Sequence, residues 1–399
     1  MTPLRQRGTN QVGVGQYNER VVLQVIRQHG ALAQAEIARL THLTAQTVSL
    51  IIGRLEGAGL LLRQAPVRGK VGQPSVPIAL DPDGAFSIGI KVGRRSLDVL
   101  MVDFLGTVRE RGTLYYDFPT PEAVLAEIDQ QLRALRRKLG AARRERVQGI
   151  GIAAPLSLDG WQALLGAKPS QAQSWSQIDL SAKVAAMSGL PVTFVKDTSA
   201  ACVAELVAGR GRSLRSFLYV FVGTFIGGGL VIDSHLRGGL NGNAGAIGSL
   251  ALHRVGTNDS TPPPQLLSIA SLLTLESRFE NAGLDATASA DPRALETPWR
   301  GHTEAWLAEA APAIALAVHD AACLLDLEGV IVDGSFSREM LQTLLTATEQ
   351  ALGRYNWEGV QRPDLLPGTI GSDARALGGA LLPLHANFTP DRDAFLKLG

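Results

Sequence analysis

Residues 82–399 carry one pattern twice, and that repetition constrains the fold more than any other feature. In the first cycle AFSIGIKV, SLDVLMVDF and VRERGTLYYDF read as three successive antiparallel strands. PEAVLAEIDQQLRALRRKLG (121–140) then reads as an amphipathic helix and VQGIGIAAP (147–155) as a buried strand. LPVTFVKD (190–197) adds a strand and TSAACVAELVAG (198–209) a small-residue helix. The second cycle opens with SFLYVFVGT and GGGLVIDSHL and passes through a Gly-rich loop and long helices. It closes with the strand DLEGVIVDG (326–334) and the helix DARALGGALLPL (373–384). Two such cycles predict a duplicated α/β fold, with two lobes and a cleft between them.

At 399 residues, 45% apolar and 19% charged, the chain is expected to form two or three domains. Its only cysteines, Cys202 and Cys323, are far apart and form no CxxC spacing, so both are expected to be buried free thiols. MTPLRQRGTNQVGVGQ has no apolar core of signal-peptide length, and no uninterrupted apolar run reaches about 18 residues. A cytoplasmic protein with no membrane partner is the expectation.

Charge is divided unevenly. Residues 1–80 hold nine Lys/Arg against three Glu, a surplus of six, whereas the remainder holds 29 basic against 34 acidic residues. A basic head on a mildly acidic body points to a polyanion-binding module at the N-terminus. Within it, NERVVLQVIRQHG (18–30) places Val21, Val22, Val25 and Ile26 on one helical face, with Asn18 as N-cap and Gly30 as stop. AQAEIARLTHL (33–43) predicts a short helix with Ile37 and Leu40 inward. After a tight link at Leu43-Thr44, AQTVSLIIGRLEGAGLL (45–61) buries Val48, Ile51, Ile52 and Leu55, with Thr44 as N-cap and Gly57 and Gly59 ending the helix. Residues 60–67 and 75–81 then predict a β-hairpin with the basic tip RGKVGQP (68–74). The order is that of a winged helix-turn-helix over residues 1–81. Thr44, Gln46, Thr47, Ser49 and Arg54 on the outer face, with Arg68, Lys70 and Gln73 at the wing tip, are the candidate contacts to double-stranded DNA. A dimerisation module with a solvated polar face is the other reading of the same three helices.

GTNQ and YNERVVLQVI near the start, the winged helix and the two-lobed body together resemble the ROK family of sugar-responsive repressors, open reading frames and sugar kinases. The pieces that carry the resemblance are KDTSAACVAE (196–205), VGTFIGGGLVID (222–233), GLNGNAGAIGSL (239–250), GVIVDGSFS (329–337) and RALGGALL (375–382). The resemblance runs from about residue 9 to residue 385 and implies an actin/hexokinase-like (ribonuclease H-like) body over 82–399. Its lobes are expected at 82–197 with the C-terminal helix, and at 198–370.

In that family the Asp of an Asn-Asp pair is the catalytic base and touches the sugar. Asp197 stands at that position, with Lys196 in place of the Asn; an N-cap on helix 198–209 is the structural alternative. The family's Gly-Glu-Ile-Gly-His run corresponds to Gly245-Ala246-Ile247-Gly248-Ser249, without carboxylate or imidazole. Its zinc-binding cysteine segment corresponds to VGTNDSTPPPQLLSIAS (255–271), which has no cysteine, and His253 is a lone ligand, so no metal is expected. Leu267 takes the place of a further sugar-binding Glu. Ser174, Gln173 and Lys168 lie where the family supplies an Asn to the sugar, next to Trp175, which reads as a core or hinge residue before a ligand-stacking one.

Where the family's kinases carry the phosphate motif Asp-x-Gly-Gly-Thr, this chain has Lys91-Val92-Gly93-Arg94-Arg95, with no acid to orient Mg²⁺. Gly223-Thr224 and Gly227-Gly228-Gly229 resemble the second phosphate motif, or form a tight hairpin between strands 216–223 and 229–235. The expectation is a regulator without enzymatic activity or cofactor: a repressor of carbohydrate-related genes that binds a palindromic operator as a homodimer or homotetramer. A sugar or sugar derivative at Lys196, Asp197, Ser174, Gly245 and Ser249 would relieve it. A sugar kinase with a fused DNA-binding head, and a repressor controlled by a protein partner, are the alternatives.

Overall fold

The computed structural model describes residues 11–66, 75–116, 119–155, 175, 177–252 and 263–390. The chain divides into two compact units, Met1–Ile152 with Asp159–Thr193 and Ala380–Gly399, and Ala153–Leu158 with Phe194–Gly379.

The first unit begins with helices α1 (Gln11–His29), α2 (Gln34–Thr41) and α3 (Ala45–Gly57). α1 starts seven residues before its expected cap, so Asn18 lies inside the helix and caps nothing. No residue of QVGVGQY withholds a backbone donor or clashes with a helix, and its two glycines cost only about 1 kcal/mol each. α1 stops where expected, at Gly30, whose φ of +80° suits glycine and whose N–H bonds the Ile26 carbonyl. Its buried face is Val22, Leu23 and Ile26, with Val21 and Val25 only half covered. With Ile37, Val48, Ile51, Ile52, Leu55, Leu61, Ile78 and Leu80 they form a small core, each contributing about 1.5–3 kcal/mol.

β1 (Leu61–Arg63) pairs antiparallel with β2 (Ile78–Leu80), and Leu32 pairs with Ile78 through two backbone bonds of 3.0 and 2.8 Å. This is the base of a wing; the tip lies outside the described residues.

Two five-stranded sheets follow. The first contains β3 (Phe86–Val92), β4 (Ser96–Asp103), β5 (Val108–Tyr115), β6 (Val147–Ala154) and β7 (Val192–Lys196), in the order β5-β4-β3-β6-β7. The second contains β8 (Phe217–Val222), β9 (Ile226–Ile232), β10 (His235–Arg237), β11 (Gly329–Gly334) and β12 (Asp364–Pro367), in the order β10-β9-β8-β11-β12. Counted from the first strand of each sheet, the order is the same in both, so the repeated sequence cycle is a repeated topology. The leading strands are antiparallel hairpins in both cases. α4 (Pro121–Arg144) has non-helical dihedrals at Gly140, where the sequence pattern places its end, and α5 is Leu180–Ser188.

Six more helices follow among the described residues: α6 (Asp197–Ala208), α7 (Leu267–Ala270), α8 (Leu272–Asn281), α9 (Arg300–Leu325), α10 (Arg338–Leu352) and α11 (Ala374–Phe388). α9 is long and apolar enough to cross a membrane by length and composition. Here it is a core helix: it packs on α10, buries Trp306, Ala310, Ile314, Ala317 and Val318, and donates the Trp306 indole to Thr274. Its outer side carries Cys323, which is exposed, contrary to expectation, because the buried stripe of α9 faces the other way; Cys202 is buried. Trp175 is a core residue, with its indole donating to the Pro119 carbonyl at 2.7 Å.

The second unit depends on small residues at close approaches. A Cβ on Gly229 would lie 2.5 Å from that of Cys202, and one on Gly378 of α11 would sit on the Ala200 carbonyl oxygen. α6 therefore lies directly on β9 and α11 directly on α6. Gly378→Ala is expected to destabilise this unit by about 3 kcal/mol, because both partners are backbone and neither can yield. Urea unfolding would show a lower midpoint with an unchanged slope.

Candidate nucleic-acid interface and effector site

α2 and α3 meet through a turn in which His42 adopts a left-handed conformation, φ 56°. Thr44 caps α3 as expected: its hydroxyl accepts the Thr47 N–H at 3.1 Å and meets the Thr47 hydroxyl at 2.8 Å. Thr44, Gln46, Ser49 and Arg54 are exposed and Thr47 is half-buried, so the five candidates on this helix lie on or beside its outer face. Arg54 is not a bare charge, since its guanidinium pairs with Glu19 of α1 at 3.1 Å. This brace was not legible in the sequence, because it depends on how α1 packs against α3. Arg68, Lys70 and Gln73 lie outside the described residues.

The head is fastened to the rest of the first unit by arginines. Arg27 of α1 donates to the Phe104 carbonyl at 2.8 Å, and its guanidinium stands 4.9 Å from the Phe104 ring centre. Arg146, just before β6, donates to the carbonyls of Gly59 (3.2 Å) and Asp83 (3.0 Å). Asp83 accepts from Arg143 and Arg109, and Arg109 continues to the buried Asp103 at 2.8 Å.

The Lys91–Arg95 turn between β3 and β4 is closed by its own groups. Lys91 donates to Asp98 (2.9 Å) and Ser96 (2.6 Å), Thr113 donates to the other Asp98 oxygen at 2.8 Å, and the Tyr116 hydroxyl donates to the Gly93 carbonyl. The missing acid is legible in the sequence, whereas the pairing of Asp98 with Lys91 needs the strand register.

In the second unit, Lys196 and Asp197 stand where β7 runs into α6. Lys196 is the N-cap and makes no capping bond; Asp197 is the first helical residue and accepts the Thr198 N–H at 2.8 Å. Burial lowers the pKa of Lys196, and Asp197 opposes part of that shift. The other Asp197 oxygen faces Arg375 of α11 at 3.7 Å. Arg375 also donates to Ser335 and stands 5.0 Å from the Phe221 ring centre. It lay unused in the quoted RALGGALL, although a positive charge beside a small-residue run was the available signal.

Gly245, at φ +74°, is in contact with Gly229 of β9, and Thr198 donates to the Gly228 carbonyl at 3.0 Å, so both approach one strand. Ser249 is exposed at the end of a short 3-10 turn. Gly227–Gly229 lie within β9, which begins at Ile226, three residues before its expected start. Leu267 is buried against Gly248, and its carbonyl accepts the Ser271 hydroxyl. Ser174, Gln173, Lys168 and His253 lie outside the described residues.

The ROK family model matches residues 87–386. The chain belongs to the ROK family. A second model, that of the MarR family, matches residues 17–68, the helical head and wing base. The xylose repressor of Bacillus subtilis is 23% identical over 243 residues, a match covering 61% of this chain and 62% of the repressor. A transcriptional regulator of Mycobacterium bovis is 25% identical over 395 residues, covering 95% of this chain and 87% of that protein. Among solved structures, a ROK transcriptional regulator homologous to the Escherichia coli MLC protein superposes with TM-score 0.69 at 20% identity, covering 96% of this chain and 98% of its own. A ROK glucokinase from Streptomyces griseus superposes with TM-score 0.57 at 22% identity, covering 75% of this chain and 99% of the kinase. The two superpositions establish the ROK architecture, with and without a head.

The Lys91–Asp98 pair is testable by pH. Burial pushes the Asp98 carboxyl up, but Lys91, Thr113 and Ser96 outweigh it and hold the pKa below its ordinary 3.8. A depressed folded-state value means that the contribution is complete above the unfolded pKa and is lost as pH falls through the folded one. Asp98→Ala takes the carboxylate from a buried ammonium that keeps its bond to Ser96, and is expected to cost about 3 kcal/mol at pH 7. The gap between wild type and variant should narrow below pH 3.8, measured by chemical unfolding across pH.

Proposed function

We propose that this ROK protein is a DNA-binding transcriptional regulator, a repressor of carbohydrate-related genes that acts in the cytoplasm. The observation that carries this reading is a capped, outward-facing α3 on a winged head that is fastened to a ROK body. Its polar face suits base edges and phosphates, and a homodimer would set two such helices about 34 Å apart along a palindromic operator. Arg68, Lys70 and Gln73 are assigned to backbone or minor-groove contact. The regulators and repressors among its relatives support the reading.

The effector we assign is a sugar or sugar derivative, held in the second unit by Lys196, Asp197, Gly245 and Ser249 with Arg375 added. The apolar Leu267 and the missing carboxylate at Ala246 mean that its hydroxyl groups are met differently from a kinase substrate's. Phosphoryl transfer is disfavoured by the closed Lys91–Asp98 turn, where a cation would have to displace an amine.

Binding to duplexes from the gene's own upstream region, followed by fluorescence anisotropy, tests the first part. Affinity should fall steeply with salt, and Arg54→Ala should reduce the log–log salt slope by about 1. Salt-insensitive binding would overturn the reading. A thermal-shift panel of pentoses, hexoses, their N-acetyl derivatives and their phosphates tests the second part, with Asp197→Asn expected to abolish the shift. Sugar-dependent ATP turnover that disappears in Asp197→Asn would establish a kinase instead.

A further inference from the structure

Along α3 the residues Gln46, Ser49, Leu50, Gly53 and Gly57 recur at helical spacing on the solvent side, and all are exposed. Leu50 stands out: it is 61% exposed, while Val48, Ile51, Ile52 and Leu55 of the same helix are buried. Beyond it, towards the C-terminal end of the helix, the surface is bare. Apart from chain neighbours and the helix's own backbone, no atom lies within 4 Å of where a Cβ on Gly53 or Gly57 would stand. A leucine in water in the middle of a polar face gains nothing for the monomer, and the two glycines weaken the helix by about 1 kcal/mol each. Both features suit a surface on which another body lies closely.

We propose that Leu50 is a specificity-determining residue that reads the 5-methyl group of a thymine in the major groove, and that the glycines beyond it let the groove wall approach the helix backbone. The inference rests on the reading of α3 as the recognition helix. Major-groove edges offer a side chain one apolar feature, the thymine methyl, and a branched aliphatic tip matches it. Gln46, one turn before Leu50, carries the amide that pairs with the N6 and N7 edge of adenine. The two side chains together select a half-site containing both an adenine and a thymine within the reach of one helical turn. The occupant is duplex DNA because the residues around Leu50 (Gln46, Thr47, Ser49 and Arg54) are hydrogen-bonding groups. A second copy of this chain would be expected to meet a broader apolar surface.

The test uses the full-length protein and a random duplex library. Enriched sequences are resynthesised with deoxyuridine replacing thymine at one position at a time, which removes only the methyl group. At one thymine in each half-site, the wild type should bind the deoxyuridine duplex about fourfold more weakly. Leu50→Ala should bind the same two duplexes equally, and Leu50→Met, which keeps an apolar tip, should retain discrimination. Equal binding of every thymine and deoxyuridine pair by the wild type would overturn the proposal. So would discrimination that survives in Leu50→Ala, or a Leu50→Ala protein that changes oligomeric state while binding DNA normally. Enrichment of no sequence at all would overturn the DNA-binding reading itself, an outcome separate from these.

Discussion

The guanidinium of Arg146 sets the position of the head. It sits between the last turn of the three-helix head and the first residues of the body, and bonds one carbonyl from each, Gly59 and Asp83. Neither acceptor belongs to a regular ladder, so without the arginine each would need water at a site where Gly84 already packs against Gly59. Arg27 makes the second attachment, at Phe104. The Asp83–Arg109–Asp103 chain then stiffens the β4–β5 corner that carries Phe104. A winged helix on a free linker can point anywhere. Attached through two arginines and a network of ion pairs, it inherits the orientation of the sheet behind it. Most of these pairs are partly exposed and individually weak, so the geometry rests on the hydrogen bonds to carbonyls, not on a sum of charges.

The second unit solves a different problem, that of holding a turn between strand and helix without an apolar filling. Glu205 and Asp333 are essentially fully buried, yet neither is an isolated charge. Glu205 accepts the backbone N–H groups of Thr369, Ile370 and Arg210, and Asp333 accepts those of Gly371 and Gly334. Five backbone N–H groups thereby take the place of solvent around the two side chains, and Arg338 donates to Asp333 as well, at 3.2 Å. These acids hold the backbone of the loop leading into α11, together with Arg338, which donates to the Gly368 carbonyl at 2.9 Å. Arg375 follows directly in the first turn of α11.

Much of this was legible in the sequence because it rests on periodicity. The head's core, the capping Thr44, the stop at Gly30 and the doubled hairpin-and-helix cycle are all local patterns, and local patterns survive tertiary packing. What was not legible depends on partners distant in sequence. Lys91 and Asp98 are seven residues apart on two strands, and their pairing requires the register of β3 against β4. Arg54 and Glu19 are 35 positions apart on two helices, and their pairing requires the packing of α1 against α3. Arg375 is 178 positions from Asp197, and no spacing rule connects them. Leu50 was passed over for another reason: the helical spacing named Val48, Ile51, Ile52 and Leu55 as core and gave Leu50 no role.

α11 shows how a short sequence, GGALLP, serves two structural demands. Gly378 is required by the approach of the helix to Ala200. Pro383 lacks the N–H that the Gly379 carbonyl would accept one turn earlier, so the ladder is interrupted there. The next carbonyl, that of Ala380, accepts the buried Ser87 hydroxyl of β3, so this turn is tied to the first sheet as well as to its own helix. The interruption falls where the division between the two units crosses the helix, after Gly379. On one side α11 presents Arg375 to Asp197; on the other it ends with Phe388 at 4.8 Å from the Phe104 ring that Arg27 grips. One helix therefore contributes Arg375 to the candidate effector residues and Phe388 to the seam that orients the head.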